Sequence, residues 1–430
     1  MPKKSQELSK TGTFAFATVF LALSFLLVLH KPLPPGFCAE KSVFDRVIVH
    51  IFEPVLRAVY YYPSHLFPNP YHQVWWTRNS LELLSKTMGP IKLFDNSVIS
   101  QDDQWDGVKV RHYQPRNSTT NGGIVFIHGG GFAIGSVDMY DGLTWRIAKQ
   151  MNTFVVSIDY SLSPETVFPN NLLECEKAVD YLFANAEKYG IDPRKIVIIG
   201  DSAGGNLATV ITQRRVLAHK KPEIAAQILI YPLLQLVDLQ LLSYRYYHKR
   251  LDGFAFVDPP AVAFYYMLYA GIPVEKAKEL VPVVMSNGHI REDQLALIEQ
   301  KMPFRSKIDT KYPYNDTKVP GKWPISTDSE AQRLLEPFLF NPDYSPMMRE
   351  NLENLPKSLV ITCQFDILRD EGIIYAEKLK ASGVPTTLIN YKNGYHAMLN
   401  MHNEITEASE CVEDFIKWIG DNVFGDKKIT

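Results

Sequence analysis

Gly200-Asp201-Ser202-Ala203-Gly204 places a serine between two glycines at the spacing G-x-S-x-G. An apolar run over 196–199 precedes it, and a helical pattern over 207–217 follows. A serine at such a strand-to-helix turn stands on a sharp bend, where larger flanking side chains would collide. The bend lifts the Ser202 oxygen above the sheet edge and puts the Ala203 amide at a helix N-terminus, where it can donate to an oxyanion. A hydroxyl attacks a carbonyl only once a base takes its proton. Of the 11 histidines, His396 fits that role, because it sits in the turn Asn393-Gly394-Tyr395-His396 after the strand pattern 386–391. His402, near a helix start, and His248, in an aromatic excursion, are weaker candidates. The base in turn needs a carboxylate to hold its tautomer. Asp366 directly follows the apolar run 358–365 and falls between serine and histidine in chain order. Asp370 and Glu371 are rivals, placed at the start of the next helix, where acids commonly complement the helix dipole.

His128-Gly129-Gly130-Gly131 follows another β run, 123–127. Three consecutive glycines leave backbone N–H groups uncovered and able to reach a substrate carbonyl, which is the other half of an oxyanion hole. A phosphate loop is the competing reading. No G-K-[ST] follows, and Phe132-Ala133-Ile134 is apolar, so the oxyanion role is preferred for His128, Gly129, Gly130, Gly131 and Ala203.

The elements that must position these groups follow from periodicity. Strands are expected at 108–113, 123–127, 153–158, 196–199, 226–231, 358–363 and 386–391, alternating with helices at 172–189, 207–217, 373–381 and 404–423. Continuous apolar strands separated by helices indicate an α/β domain with a parallel sheet covered on both faces. The rhythm breaks between about 235 and 350, a stretch rich in proline and aromatic residues such as Tyr244, Phe254, Phe264, Tyr265 and Tyr269. Lying between two core strands, it reads as a lid or acyl-binding cap; a structural insertion without ligand contact is the alternative. Residues 30–104 form a leader without catalytic motifs. Within it the spacing predicts a helix over 43–59, ended or kinked at Pro54. That helix could cover the active site, lie on a membrane, or simply pack on the body.

The 430 residues suffice for one large α/β domain with an insertion, or for two domains. A net charge of -2 with no basic stripe argues against nucleic acid, and no zinc spacing appears. Cys38, Cys175, Cys363 and Cys411 form no C-x-x-C pair, and Cys175 and Cys363 read as buried free thiols. At the N-terminus, Lys3, Lys4 and Lys10 precede an uncharged run over 11–29, long enough to cross most of a bilayer core of about 30 Å. The basic side stays cytosolic, which sends everything after His30 to the lumen. A cleaved signal peptide, cut at Ala39, is the alternative. The sequons at Asn117 and Asn315 agree with a lumenal body. The expected organisation is a tail (1–10), an anchor (11–29), the leader (30–104) and a catalytic domain (105–430).

Taken together, HGGGF (128–132), DYSLSPE (159–165), GDSAGGN (200–206), ITCQFDILRDEG (361–372) and NGYHA (393–397) resemble the hormone-sensitive-lipase-like branch of the α/β-hydrolases. Among its members the chain is most similar to the arylacetamide deacetylase and neutral cholesterol ester hydrolase group. The similarity covers 105 to the end, and the basic anchor followed by His30-Lys31-Pro32-Leu33-Pro34 fits as well. The resemblance implies an α/β-hydrolase fold, a Ser202–His396–Asp366 triad, and a single-pass type II anchor in the endoplasmic reticulum membrane. It also implies cleavage of carboxylic esters and aryl amides of lipids or xenobiotics, with no metal or cofactor. Two departures stand out. Ala133 replaces a cysteine that relatives pair with the cysteine of the ITCQ strand, and Ser161 and Ser163 replace an arginine and an alanine. A catalytically silent binding or receptor protein on the same scaffold is the rival function, and a thioester or peptide substrate is a third.

Overall fold

The computed structural model describes Phe37 and residues 43–56, 58–59, 66–88, 95–248, 257–305, 308, 314 and 320–425. The apolar run 11–29, Cys38 and Asn315 lie outside these residues. No helix among the described residues is long and apolar enough to cross a membrane.

An eight-stranded sheet organises the chain, in the order β1-β2-β4-β3-β5-β6-β7-β8. The strands are β1 (Val98–Trp105), β2 (Val108–Pro115), β3 (Gly123–Ile127), β4 (Phe154–Asp159), β5 (Ile196–Asp201), β6 (Ala226–Ile230), β7 (Lys357–Phe365) and β8 (Thr386–Tyr395). Every residue of β3, β5 and β6 is buried, as expected for strands covered by helices on both faces. From β4 through β8 neighbouring strands run parallel. The exception is the hairpin β1–β2, which pairs antiparallel within itself and with β4. Its two-residue turn, Asp106-Gly107, holds φ of 47° and 87°, the left-handed geometry that matches the twist of the flanking strands. The sheet thus begins at Val98, inside the stretch expected to be leader.

Helix α1 (Val43–Leu56) belongs to the leader, as does α2 (Pro70–Met88). Pro54 does not end α1, which runs on to Leu56. Asp45 at its start accepts from the amide and hydroxyl of Thr406. The helix is therefore tied to the body at its start, while Val43, Val47 and Ile51 along one face stay exposed. Further along come α3 (Val137–Met151), α4 (Asn170–Ala184) and α5 (Ser202–Leu217). Helix α5 is buried almost all round, which removes the amphipathic stripe that would mark it in a sequence. Its first turn also carries Gly204, Gly205 and Asn206, which are poor helix formers, so periodicity alone starts it at 207. The excursion folds as α6 (Leu242–Tyr247), α7 (Pro259–Tyr269), α8 (Val274–Met285), α9 (Leu295–Lys301) and α10 (Ser329–Leu339). Helix α11 (Arg369–Ala381) packs on β7, and α12 (Thr406–Ile419) ends the domain, with the chain continuing as a single wide turn to Phe424.

Candidate active site

The register of the parallel strands puts four strand ends at one edge. Ile127 lies opposite Gly200, Asp201 opposite Ile230, Ile230 opposite Ile361, and Phe365 opposite Tyr395. The residues that follow β3, β5, β7 and β8 are His128, Ser202, Asp366 and His396, so all four emerge on the same rim. A register shift between Cys363 and Phe365 bends the end of β7 just before Asp366.

Ser202 is a non-glycine residue at φ 52°, the strained turn expected of a serine elbow. The flanking glycines allow it. A Cβ on Gly200 would lie 2.2 Å from the Gly204 oxygen, and one on Gly204 would lie 2.0 Å from the Ile127 oxygen. Ser202 Oγ is 2.9 Å from His396 Nε2, and His396 Nδ1 is 2.9 Å from Asp366 Oδ2. All three side chains are buried. An ionised carboxylate can only accept, so Nδ1 carries the proton and Nε2 is left to accept from the serine hydroxyl. The second oxygen of Asp366 accepts from the Leu368 amide at 2.8 Å, which fixes the carboxylate plane.

The rival carboxyls are engaged elsewhere. Asp370 accepts from the Ser243 amide and the Tyr314 hydroxyl. Glu371 accepts from the Leu234 amide, the Gln235 side chain and the Tyr244 hydroxyl, and burial pushes its carboxyl up to about 8. His248 packs edge-on against Trp323, and the His402 carbonyl accepts from Arg146.

The glycine loop divides its work. The Gly129 amide donates to Asp201 Oδ1 at 2.8 Å instead of opening to the cleft. His128 stacks on Tyr160 at 4.4 Å, and its carbonyl accepts from the Tyr160 hydroxyl, so it supports the loop from below. Gly130 and Gly131 border the cleft, and their amides donate to no group among the described residues. The Ala203 amide lies in the first turn of α5, where no intrahelical acceptor exists.

Two residues not singled out in the sequence complete the site. Asp201, the variable residue of the serine motif, accepts from both the Gly129 amide and the Tyr140 hydroxyl. Burial pushes its carboxyl up to about 6, against those two hydrogen bonds, which favour the anion. Tyr231, at φ 35°, lays its ring 4.7 Å from the His396 ring. Asp201 could have been suspected from its place in the motif; nothing local marks Tyr231.

The cleft above Ser202 is small, about 100 Å³. Leu81 and Leu84 of α2 wall it on one side, and Val257, Val262 and Tyr265 of the excursion on another. Helix α7 is started by Asp258, whose side chain accepts from the Ala261 amide, with Pro259 at the first helical position. The ring of Tyr265 then rests on Gly131, where a Cβ would lie 2.8 Å from it. The excursion therefore does touch the cleft, in keeping with a cap. Where Ser161 replaces arginine, its amide and hydroxyl both donate to Glu174. Cys175, Cys363 and Cys411 are buried free thiols, Cys363 in contact with Met398. Asn117 is exposed in the turn after β2.

The chain matches an α/β-hydrolase fold family over residues 124–300 and 303–400, and it belongs to that family. Among solved structures, an esterase of Pyrobaculum calidifontis is 26% identical with a TM-score of 0.59, covering 86% of this chain and 99% of its own. An arylesterase structure, 24% identical, superposes with a TM-score of 0.60 over 91% of this chain and 99% of its own. Curated relatives narrow the group. Mouse (Mus musculus) neutral cholesterol ester hydrolase 1 is 31% identical over 338 residues, 75% of this chain and 80% of that protein. Rabbit (Oryctolagus cuniculus) arylacetamide deacetylase is 28% identical over 370 residues, 80% and 85% of the two chains. This is a carboxylesterase-type hydrolase of the neutral cholesterol ester hydrolase and arylacetamide deacetylase type.

Proposed function

We propose that the chain hydrolyses carboxylic esters through an acyl-enzyme on Ser202, with His396 as base and Asp366 as the carboxylate behind it. The observation that carries this is the pair of 2.9 Å contacts linking Ser202, His396 and Asp366 at the floor of an apolar cleft. His396 Nε2 takes the Ser202 proton as Oγ bonds to the ester carbonyl carbon. The carbonyl oxygen becomes an alkoxide held by the amides of Gly130, Gly131 and Ala203. His396 then gives the proton to the leaving alcohol as the C–O bond breaks. A water, deprotonated by His396, attacks the acyl carbon and returns Ser202 to its starting state. Gly129 and His128 shape the loop in this scheme and do not themselves donate to the alkoxide.

Lipid or xenobiotic esters and aryl amides are the proposed substrates, on the strength of what the relatives are named for. The 11–29 segment is proposed as a single-pass type II anchor in the endoplasmic reticulum membrane. The catalytic body then lies in the lumen, glycosylated at Asn117 and Asn315.

Ser202→Ala tests the chemistry. It should lower turnover of a short p-nitrophenyl ester by about five to six orders of magnitude, with an unchanged melting transition. A fluorophosphonate probe should label the parent and spare the variant. Turnover that survives the substitution would end the proposal, and failure to label folded parent protein would favour a silent binding role.

A further inference from the structure

Arg78 lies on α2, far in sequence from every motif of the site, and its guanidinium is drawn into the back of the glycine loop. Nε donates to the Ala133 carbonyl at 2.5 Å, and a terminal nitrogen donates to the Ser163 carbonyl. Both terminal nitrogens also meet Glu165, at 2.8 Å each. The planar fork of arginine suits such a set of acceptors, and an ammonium cannot reproduce it.

The two carbonyls matter because of what they belong to. Ala133 closes the loop turn, its own amide donating to the Gly130 carbonyl at 3.1 Å, and the Ile134 amide donates to the same oxygen at 2.8 Å. Ser163 reaches the loop from the other side, its amide donating to the Phe132 carbonyl at 2.8 Å. Ala133 and Ser163 are both wholly buried. Without Arg78, the Ala133 and Ser163 carbonyls would lose their shared donor beside a polar pocket open to solvent, which favours rotation of the loop peptides toward water. That rotation would carry the Gly130 and Gly131 amides with it. Three and seven residues beyond Arg78 on the same helix, Leu81 and Ser85 wall the cleft. One leader helix therefore borders the substrate on one face and grips the loop through Arg78.

We propose that Arg78 is a positioning residue that holds the Gly130–Gly131 amides in register with the transition-state alkoxide, making the leader helix part of the catalytic apparatus. The inference rests on the proposed acyl-enzyme reading.

Arg78→Met tests it, with active sites counted by end-point labelling with a fluorophosphonate. On a short p-nitrophenyl ester, kcat per titrated site should fall about 10- to 100-fold, the loss expected for misplacing oxyanion donors, while KM stays unchanged. Inhibition by an aryl trifluoromethyl ketone, which forms a tetrahedral alkoxide on the serine, should weaken by the same factor. Arg78→Lys should be intermediate, and it decides the question with the same readouts if the methionine variant does not fold. Full kcat per titrated site, or a rise in KM alone, would overturn the proposal. So would a loss that merely tracks the fraction of folded protein. An inert parent enzyme would instead overturn the acyl-enzyme reading.

Discussion

Asp370 and Glu371 lie a few residues from Asp366, and both are buried carboxyls, yet neither reaches His396. What separates them is the direction of their oxygens. Glu371 ties the chain after β6 to α6 through Leu234, Gln235 and Tyr244. Burial disfavours its charged form and raises it from an ordinary 4.5 to about 8. A raised carboxyl binds a proton in the folded state that the unfolded chain lacks. Its contribution to stability is thus fully present below about 4.5 and is lost as pH rises through about 8. Glu371→Gln keeps one acceptor and removes the titration. The melting temperature of the parent should fall relative to this variant between pH 5 and pH 8. Parallel curves over that interval would refute the assignment.

At the scale of elements, the cleft is a joint product of α2, the glycine loop and α7. Asp258 and Pro259 set where α7 starts, and the start sets where Tyr265 meets Gly131. A cap of this kind is worth about 1 kcal/mol, so the ring is held by the helix and not by chance packing. A cleft of about 100 Å³ has room for a short acyl group, with Tyr265 closing one side. Across a series of esters from acetyl to oleoyl, kcat/KM should peak at short chains in the parent. Tyr265→Ala should shift the optimum toward longer chains, without loss of probe labelling. An unchanged chain-length profile would show that another wall limits the substrate. Secondary structure was legible where an apolar run is short and continuous: the expected 123–127 strand coincides with β3. It was less legible where a helix has no amphipathic stripe, as at the start of α5, or where a strand is mostly exposed, as in β1.

At the scale of the whole molecule, the described residues form a hydrolase body with two leader helices packed on it. The proposed anchor precedes them in the chain. Full-length protein expressed in cells should stay in the membrane pellet after an alkaline carbonate wash. Endoglycosidase H should shift its mobility, less so in Asn117→Gln and not at all once Asn315→Gln is added. Release by carbonate, or no shift in the parent, would place the body elsewhere.

The groups proposed to react were readable from the chain, because the chemistry asked of them is local: a serine needs small neighbours, and a histidine base needs a loop after a strand. Ser202, His396 and Asp366 each carried such a signature, and the structure brings all three into contact. The division of labour inside the glycine loop was not readable. Whether the Gly129 amide is open or already donating depends on Asp201, which is itself held by the Tyr140 hydroxyl and reaches the amide only when β3 and β5 lie side by side. The same holds for Arg78, whose acceptors at Ala133 and Ser163 lie 55 and 85 residues away. Residue type and spacing determine which atoms can react. Which backbone groups remain free to assist them is decided by long-range packing, because a hydrogen bond is satisfied by whatever the fold brings within 3 Å or so.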